Sequence, residues 1–274
     1  MRELDTLGRN PAAIAGRLVA AGVSRRSTFR GRARRDGRIT LLTVDFANLT
    51  PHAIRLANSF RRNVDPTGAV VAVQNGTRAN NKRLSAHGIE THGFGLNITH
   101  GRALDWGMRF ITTEYVLVCD PDSFILAPRF REEVFSRLDR FGVAGITIHE
   151  TADFHYYHPI CTAFETRLWK ERAWSWIQDY SIPGRPRDVG WELTEELGGF
   201  NGEAAIPRTR TGIAGHVYGE SFTCTFGTSR IDTAGHEIEI DGRSAAVTRD
   251  YHGRWAQWVD RVAAGLDDVS GFPT

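Results

Sequence analysis

Apolar residues gather in short runs that stop abruptly at polar ones. Ile39-Thr40-Leu41-Leu42-Thr43-Val44 closes at Asp45. Ala69-Val70-Val71-Ala72-Val73 closes at the turn signal Gln74-Asn75-Gly76-Thr77, and the stretch from Thr113 to Leu126 holds an apolar run that stops abruptly at Asp120-Pro121-Asp122. Near-continuous apolar runs of this length predict strands buried on both faces, as in a parallel sheet. Helical spacing lies between them. Thr50-Pro51 predicts the N-cap and first position of a helix through Ile54, Leu56, Ala57 and Phe60. Residues 89–94 predict a short strand and 103–110 a second helix. Further on, 131–138 has helical spacing and 143–148 reads as a strand. The Trp-rich stretch 167–180 predicts an amphipathic helix, and another covers 191–197 ahead of Gly198-Gly199. A last helix is expected over 255–264. Strand, helix, strand, strand, helix, strand is the rhythm of an α/β fold with a mostly parallel central sheet and right-handed crossovers.

Residues 1–37 differ from this body. Asn10 and Pro11 predict the start of a helix, and residues 25–35 are rich in arginine without apolar periodicity, the pattern of a solvated basic arm. The expected organisation is therefore a helix and basic arm over 1–37 and a single globular domain over 38–274.

The strand ends carry the candidate chemistry. In an open α/β sheet the ligand crevice lies beyond the carboxyl ends of the strands, so Asp120-Pro121-Asp122 offers two hard oxygen donors where a ligand would sit. Mg²⁺ favours one or two carboxylates together with water and substrate phosphates, and a metal so held neutralises charge on phosphoryl oxygens. A plain surface turn also uses Asp and Pro, and the rest of the chain has to separate the two.

Composition adds bounds. Of 274 residues, 41% are hydrophobic and 24% charged, the profile of an ordinary globular protein. No apolar stretch approaches the roughly 20 residues that span a bilayer, and Met1-Arg2-Glu3-Leu4-Asp5 lacks the order of a secretory leader. Cys119, Cys161 and Cys224 form no Cys-x-x-Cys pair, so neither a zinc site nor a disulfide framework is expected. Cys119 reads as a small buried apolar residue, and the expected setting is cytoplasmic. Net charge is +2, which demands no polyanionic partner. Only Lys82 and Lys170 are lysines, so phosphate contacts fall to guanidinium forks.

With these segments in order, the chain resembles the GT-A glycosyltransferases, closest to the family 2 type. The likeness rests on 39–45 with its following helix, on 70–77, on Gly95-Leu96-Asn97-Ile98-Thr99-His100-Gly101-Arg102-Ala103-Leu104-Asp105-Trp106-Gly107, and on Asp120-Pro121-Asp122. Arg187-Asp188-Val189-Gly190-Trp191-Glu192-Leu193 resembles the segment that carries the catalytic carboxylate. The resemblance implies a Rossmann-like GT-A domain, with a nucleotide-sugar half over 38–125 and an acceptor half with the C-terminal tail over 126–274. It implies an inverting hexosyltransferase that uses Mn²⁺ or Mg²⁺. A sugar would pass from a nucleotide-diphosphate donor to a hydroxyl on a glycan, lipid, protein, metabolite or modified nucleic-acid base.

The resemblance also implies roles. Thr43, Asp45, Gln74, Asn75, Arg102 and Asp120 would hold the donor, and Asp120, Asp122 and His252 the metal. Asp188 would be the base that deprotonates the acceptor, with Glu192 one turn on in reserve. Asp188 could equally be only the N-cap of that helix. His216 and His236 are other histidines in the region of His252. His155 and His158, among aromatics that suit sugar stacking or core packing, would flank the acceptor side. Two positions depart from the pattern. Gln74 stands where an acidic residue commonly reads the base, and an amide both donates and accepts. Asp105 replaces an asparagine.

Two other functions compete. A sugar-1-phosphate nucleotidyltransferase opens with a Gly-rich loop after its first strand, and Asp45-Phe46-Ala47-Asn48-Leu49-Thr50 has no glycine. A non-catalytic protein binding nucleotide sugar or nucleic acid would have little need of Asp120, Asp122 and Asp188 together.

Overall fold

The computed structural model describes residues 37–46, 49–75, 80–93, 97–121, 123–125, 129–151, 154–172, 174–179, 187–206, 223–225 and 261. Asp122, His216, His236, His252, the N-terminal helix with its arginine-rich arm and, apart from Arg261, the expected C-terminal helix lie outside these residues. In chain order the elements are β1 (Ile39–Phe46), α1 (Thr50–Asn63), β2 (Val70–Asn75), α2 (Asn81–Ala86), β3 (Glu90–Gly93), α3 (His100–Met108), β4 (Tyr115–Val118) and β5 (Ser123–Ile125). They continue with α4 (Arg129–Phe141), β6 (Val143–Thr151), β7 (Phe154–Glu165), α5 (Thr166–Arg172), α6 (Trp191–Glu196), a 3₁₀ turn at Gly202–Ala204 and β8 (Thr223–Thr225).

Six strands form the main sheet in the order β3-β2-β1-β4-β7-β6, and β5 pairs with β8 in a small second one. β1 runs parallel to both β2 and β4, and β2 parallel to β3. β7 is antiparallel to β4 and to β6. The result is the expected α/β architecture with a mostly parallel sheet, closed at one side by an antiparallel hairpin.

Period-two alternation along each strand divides the core in two. Ile39, Leu41, Val70, Ala72, Tyr115 and Leu117 face one side, with Ala53, Leu56, Phe60, Phe130 and Val134 of α1 and α4. Leu42, Val44, Val71, Val73, Val116 and Val118 face the other, with Ala103, Leu104, Trp106 and Met108 of α3. Helices on both faces explain why these strands read as continuous apolar runs rather than alternating ones.

Cys119 is buried beside Cys161, and burial holds its thiol well above the usual range. It is the small apolar residue the sequence implies. No helix among the described residues is long and apolar enough to cross a membrane.

Three elements differ from expectation. α2 lies between β2 and β3; parallel neighbours require a crossover, and this one is too short to show periodicity. β7 has no counterpart in the sequence pattern, although it contributes Tyr156, Tyr157, Cys161, Ala163 and Phe164 to the core. The helix expected over 167–180 ends at Arg172, and Trp174–Asp179 carries no helix. Trp174 and Trp176 pack on Phe164 with ring centroids 5.3 and 5.9 Å away. The Asp105 carboxylate meanwhile accepts from Ser175 Oγ at 2.5 Å and from Trp176 N at 3.0 Å. Side-chain acceptors thus satisfy backbone that a helix would have satisfied itself. Asp105 is the clamp for this segment.

Candidate active site

The chain runs outward from β1 to β2 and β3, then crosses back to β4 on the other side of β1. Strand order therefore reverses between β1 and β4, and a ligand crevice opens outside the carboxyl ends at such a reversal. Asp45-Phe46 ends β1, Gln74-Asn75 ends β2 beside it in register, and Asp120 follows β4. The six residues that sequence assigns to the donor are thus drawn from adjacent strands or from the helix that covers them.

Thr43 and Asp45 are buried in β1. Thr50 Oγ1 donates to both Asp45 oxygens at 3.1 and 3.0 Å, and Gln74 Nε2 donates to Oδ2 at 3.4 Å. Sequence predicts Thr50 as the cap of α1. Leu49 occupies the N-cap, and Thr50 turns its hydroxyl back to the strand instead. Desolvation raises the Asp45 carboxyl from 3.8 to about 6, against the lowering effect of its Thr50 and Gln74 hydrogen bonds. Gln74 Oε1 is buried without a hydrogen-bond partner among the described residues.

Asn75 clamps the approach to α3. Its Nδ2 donates to Ile98 O at 2.5 Å, and its Oδ1 accepts from Ile98 N at 2.6 Å. Arg102, in the first turn of α3, has an Nε with no hydrogen-bond partner among the described residues. His100 begins α3, and its Nε2 lies 3.4 Å from Asp120 Oδ1. The sequence places His100 in the Gly-rich segment and assigns it no role. The signal available is Gly101 directly after it. A Cβ on Gly101 would sit 2.0 Å from Trp176 O, so glycine lets the first turn of α3 press against the Trp174–Asp179 segment. Gly101→Ala is expected to lower stability by roughly 1–3 kcal/mol, as overpacking does. Urea denaturation measures it, and an unchanged midpoint would mean the contact is absent.

A hard carboxylate at the switch point, with the Asp120 side chain 13% exposed, suits Mg²⁺ or Mn²⁺. Among the described residues no group of three or more His, Cys, Asp or Glu that could hold a metal ion is present; Asp120 is the described member of the Asp-x-Asp pair and could supply one oxygen donor.

The residues that sequence assigns to the acceptor side are carried by β7 and by α6 with the segment before it. Because β7 pairs Thr162 with Val118 and runs antiparallel, its earlier residues project past the end of β4. Ser123 Oγ donates to Ile160 O at 2.9 Å, tying the Asp-x-Asp turn to that projection. α6 packs on β7: Tyr157 N donates to Thr194 Oγ1 at 2.9 Å, and Gly190 abuts the Tyr157 carbonyl. Gly190, at φ 101°, is the N-cap of α6. The alternative that Asp188 caps this helix is therefore corrected.

Asp188 Oδ1 accepts from Gln178 Nε2 at 2.8 Å and from Val189 N at 2.7 Å. Asp179 and Arg187 exchange backbone hydrogen bonds at 2.8 and 3.1 Å, which sets Gln178 opposite Asp188. Glu192 Oε2 accepts from Ser175 N at 2.9 Å. Of the residues near His155 and His158, Tyr156 and Tyr157 are fully buried and serve the core rather than sugar stacking. His158 Nδ1 accepts from Ile160 N at 3.2 Å, and the His155 ring lies 5.8 Å from Phe200.

No protein-family model and no curated protein matches the chain. Solved structures resemble it at low identity. S. aureus TarS (residues 1–349) does so at 13% identity and TM-score 0.41, over 52% of this chain and 50% of that one. The chain thus spans half the length of that structure. A mannosyltransferase from Pyrobaculum calidifontis, in complex with GDP-Man and Mn²⁺, resembles it at 14% identity and TM-score 0.48, over 93% of this chain and 84% of that one. Glucosyl-3-phosphoglycerate synthase from Mycobacterium tuberculosis, with phosphoglyceric acid, does so at 12% identity and TM-score 0.43, over 62% and 69%.

Proposed function

We propose that this chain is a metal-dependent glycosyltransferase of the GT-A type that transfers a sugar, with inversion, from a nucleotide-diphosphate donor to a hydroxyl acceptor. The observation that carries the reading is the convergence at the β1/β4 reversal. A carboxylate just past β4, a buried Asp45–Gln74 pair and the Asn75 clamp meet where an α/β sheet binds ligands. Asp188, bonded to Gln178 just before the helix that packs on β7, supports a base on the acceptor side.

In this reading Asp45, Gln74 and Asn75 hold the nucleotide beyond β1 and β2, with Thr43 beneath them. Arg102 faces the diphosphate, where a guanidinium fork matches phosphate oxygens. The metal would be held by Asp120 and Asp122, with His252 a further candidate, and would supply charge neutralisation to the departing diphosphate. Asp188 takes the acceptor proton as the hydroxyl oxygen bonds to the anomeric carbon and the bond to the diphosphate breaks. A cytoplasmic setting accords with this donor. The acceptor is assigned only as a hydroxyl compound.

The test is thermal unfolding of the full chain against a panel of nucleotide sugars, with Mn²⁺ or Mg²⁺ and with chelator. One donor is expected to stabilise the protein by about 2.7 kcal/mol at a hundredfold over its dissociation constant. Chelator and Asp120→Asn should each remove most of that gain. Failure of every nucleotide sugar to shift the transition would sink the proposal.

A further inference from the structure

We propose that His100 is itself a ligand of the divalent cation, giving Asp120 an imidazole partner and the site a preference for Mn²⁺ over Mg²⁺. The inference rests on the metal-dependent reading above. Its support is geometric. His100 Nε2 and Asp120 Oδ1 are 3.4 Å apart, with side chains 23% and 13% exposed. Two donors bound side by side to one ion at about 2.1 Å each lie about 3 Å apart. The observed separation needs only a few tenths of an ångström of closure to meet that value.

The imidazole is also held in place. Ile98, two residues before it, is pinned on both backbone polar groups by Asn75. Gly101, directly after it, is pressed against Trp176 O. The Phe46 ring meets the imidazole edge-on, with centroids 6.4 Å apart and planes at 63°. Strand β1, strand β2 and the Trp174–Asp179 segment therefore position one nitrogen beside the carboxylate that ends β4. A ring fixed before the cation arrives loses little freedom on binding it.

Chemistry then sets the selectivity. Mg²⁺ takes oxygen donors in near-ideal octahedra and keeps its water. Mn²⁺ stands lowest in affinity along the first transition row and is also at home with oxygen donors, yet it accepts an imidazole and a looser geometry more readily than Mg²⁺ does. An Asp-x-Asp pair alone is indifferent to this difference, whereas one nitrogen donor is not.

The experiment is Mn²⁺ binding to the full chain without nucleotide, followed by electron paramagnetic resonance. Pulsed echo-modulation spectra read any nitrogen bonded to the ion directly. Wild-type protein is expected to show ¹⁴N modulation, and protein grown on ¹⁵N-histidine the corresponding ¹⁵N signal without any mutation. His100→Gln should lose the His100 part of the modulation and weaken Mn²⁺ binding at least about tenfold, the lower end of what perturbing a ligand's support costs. Its Mg²⁺ affinity, measured by competition, should fall less. His252 is the other candidate nitrogen donor, so His252→Gln is expected to keep a nitrogen signal that the double variant His100→Gln/His252→Gln lacks. Bound Mn²⁺ without nitrogen modulation, or modulation undiminished by His100→Gln in the His252→Gln background, overturns the assignment and leaves the transferase reading standing. Wild-type protein that binds no Mn²⁺ sinks both.

Discussion

Asp188→Asn is expected to lower transfer by about a hundredfold or more, the usual loss when a general base is removed, with nucleotide-sugar binding nearly unchanged. The hydrogen bonds make this a clean substitution. Asp188 Oδ1 accepts both from Gln178 Nε2 and from Val189 N. An asparagine carbonyl can take both, so the side chain keeps its orientation and the change falls on the other oxygen. Asp188→Ala loses both bonds and should be inactive and also less stable, by about 1 kcal/mol per bond lost. That cost does not come from helix capping, because Gly190 is the N-cap of α6. Glu192→Gln is the control, since the Glu192 carboxylate is engaged by Ser175 N. Steady-state kinetics decide: an active Asp188→Asn beside a dead Glu192→Gln would move the base one helical turn. If both stay active, neither carboxylate is the base.

Asp45→Asn should act in the opposite direction on stability. Asp45 is 2% exposed, and its folded carboxyl stands at about 6 rather than 3.8, chiefly through desolvation. Between those values the folded protein keeps a proton that the unfolded chain has released. The stability contributed by this group therefore falls as pH rises from about 4 to about 6 and is level above that. The shift corresponds to about 3 kcal/mol lost by pH 7.

Asparagine carries no charge to desolvate. Its Oδ1 can still accept from Thr50, and its amide can donate to Gln74 Oε1 once that side chain flips. The variant is expected to be more stable at pH 7.5 by up to ~3 kcal/mol and to lose the pH 4–6 slope that this group contributes. Donor binding should weaken, as stabilising a strained site often costs function. Urea denaturation at pH 4.5 and pH 7.5 measures the slope. An unchanged slope in Asp45→Asn would mean that the carboxyl is ionised at no cost in the fold.

How far the linear chain reaches is visible in these residues. β1, β2 and β4 are legible because strands buried on both faces must be apolar throughout, and their ends are legible because charge cannot continue into that core. Asp45, Gln74, Asn75 and Asp120 are therefore identifiable as strand-end residues from the linear pattern. The α/β class follows from the order of runs and helical spacings alone. Composition bounds the rest and identifies nothing further.

Contacts between distant segments settle what remains. The stretch after Arg172 has helical composition, yet the Asp105 carboxylate, some seventy residues earlier, accepts from Ser175 and Trp176 and holds it unwound. A local pattern cannot encode an acceptor that distant. β7 is illegible in the sequence because a strand with His155, His158 and Pro159 shows no simple alternation, and pairing with β4 and β6 is what defines it. Thr50 carries a cap's side chain but bonds to Asp45 across the loop. His100 acquires significance only because β4 and α3 bring Nε2 and Oδ1 within 3.4 Å of each other. Periodicity records which face of each element is buried, and so it yields the layers. Which polar groups meet at the layers' edge depends on strand order and register, and those are properties of the assembled sheet.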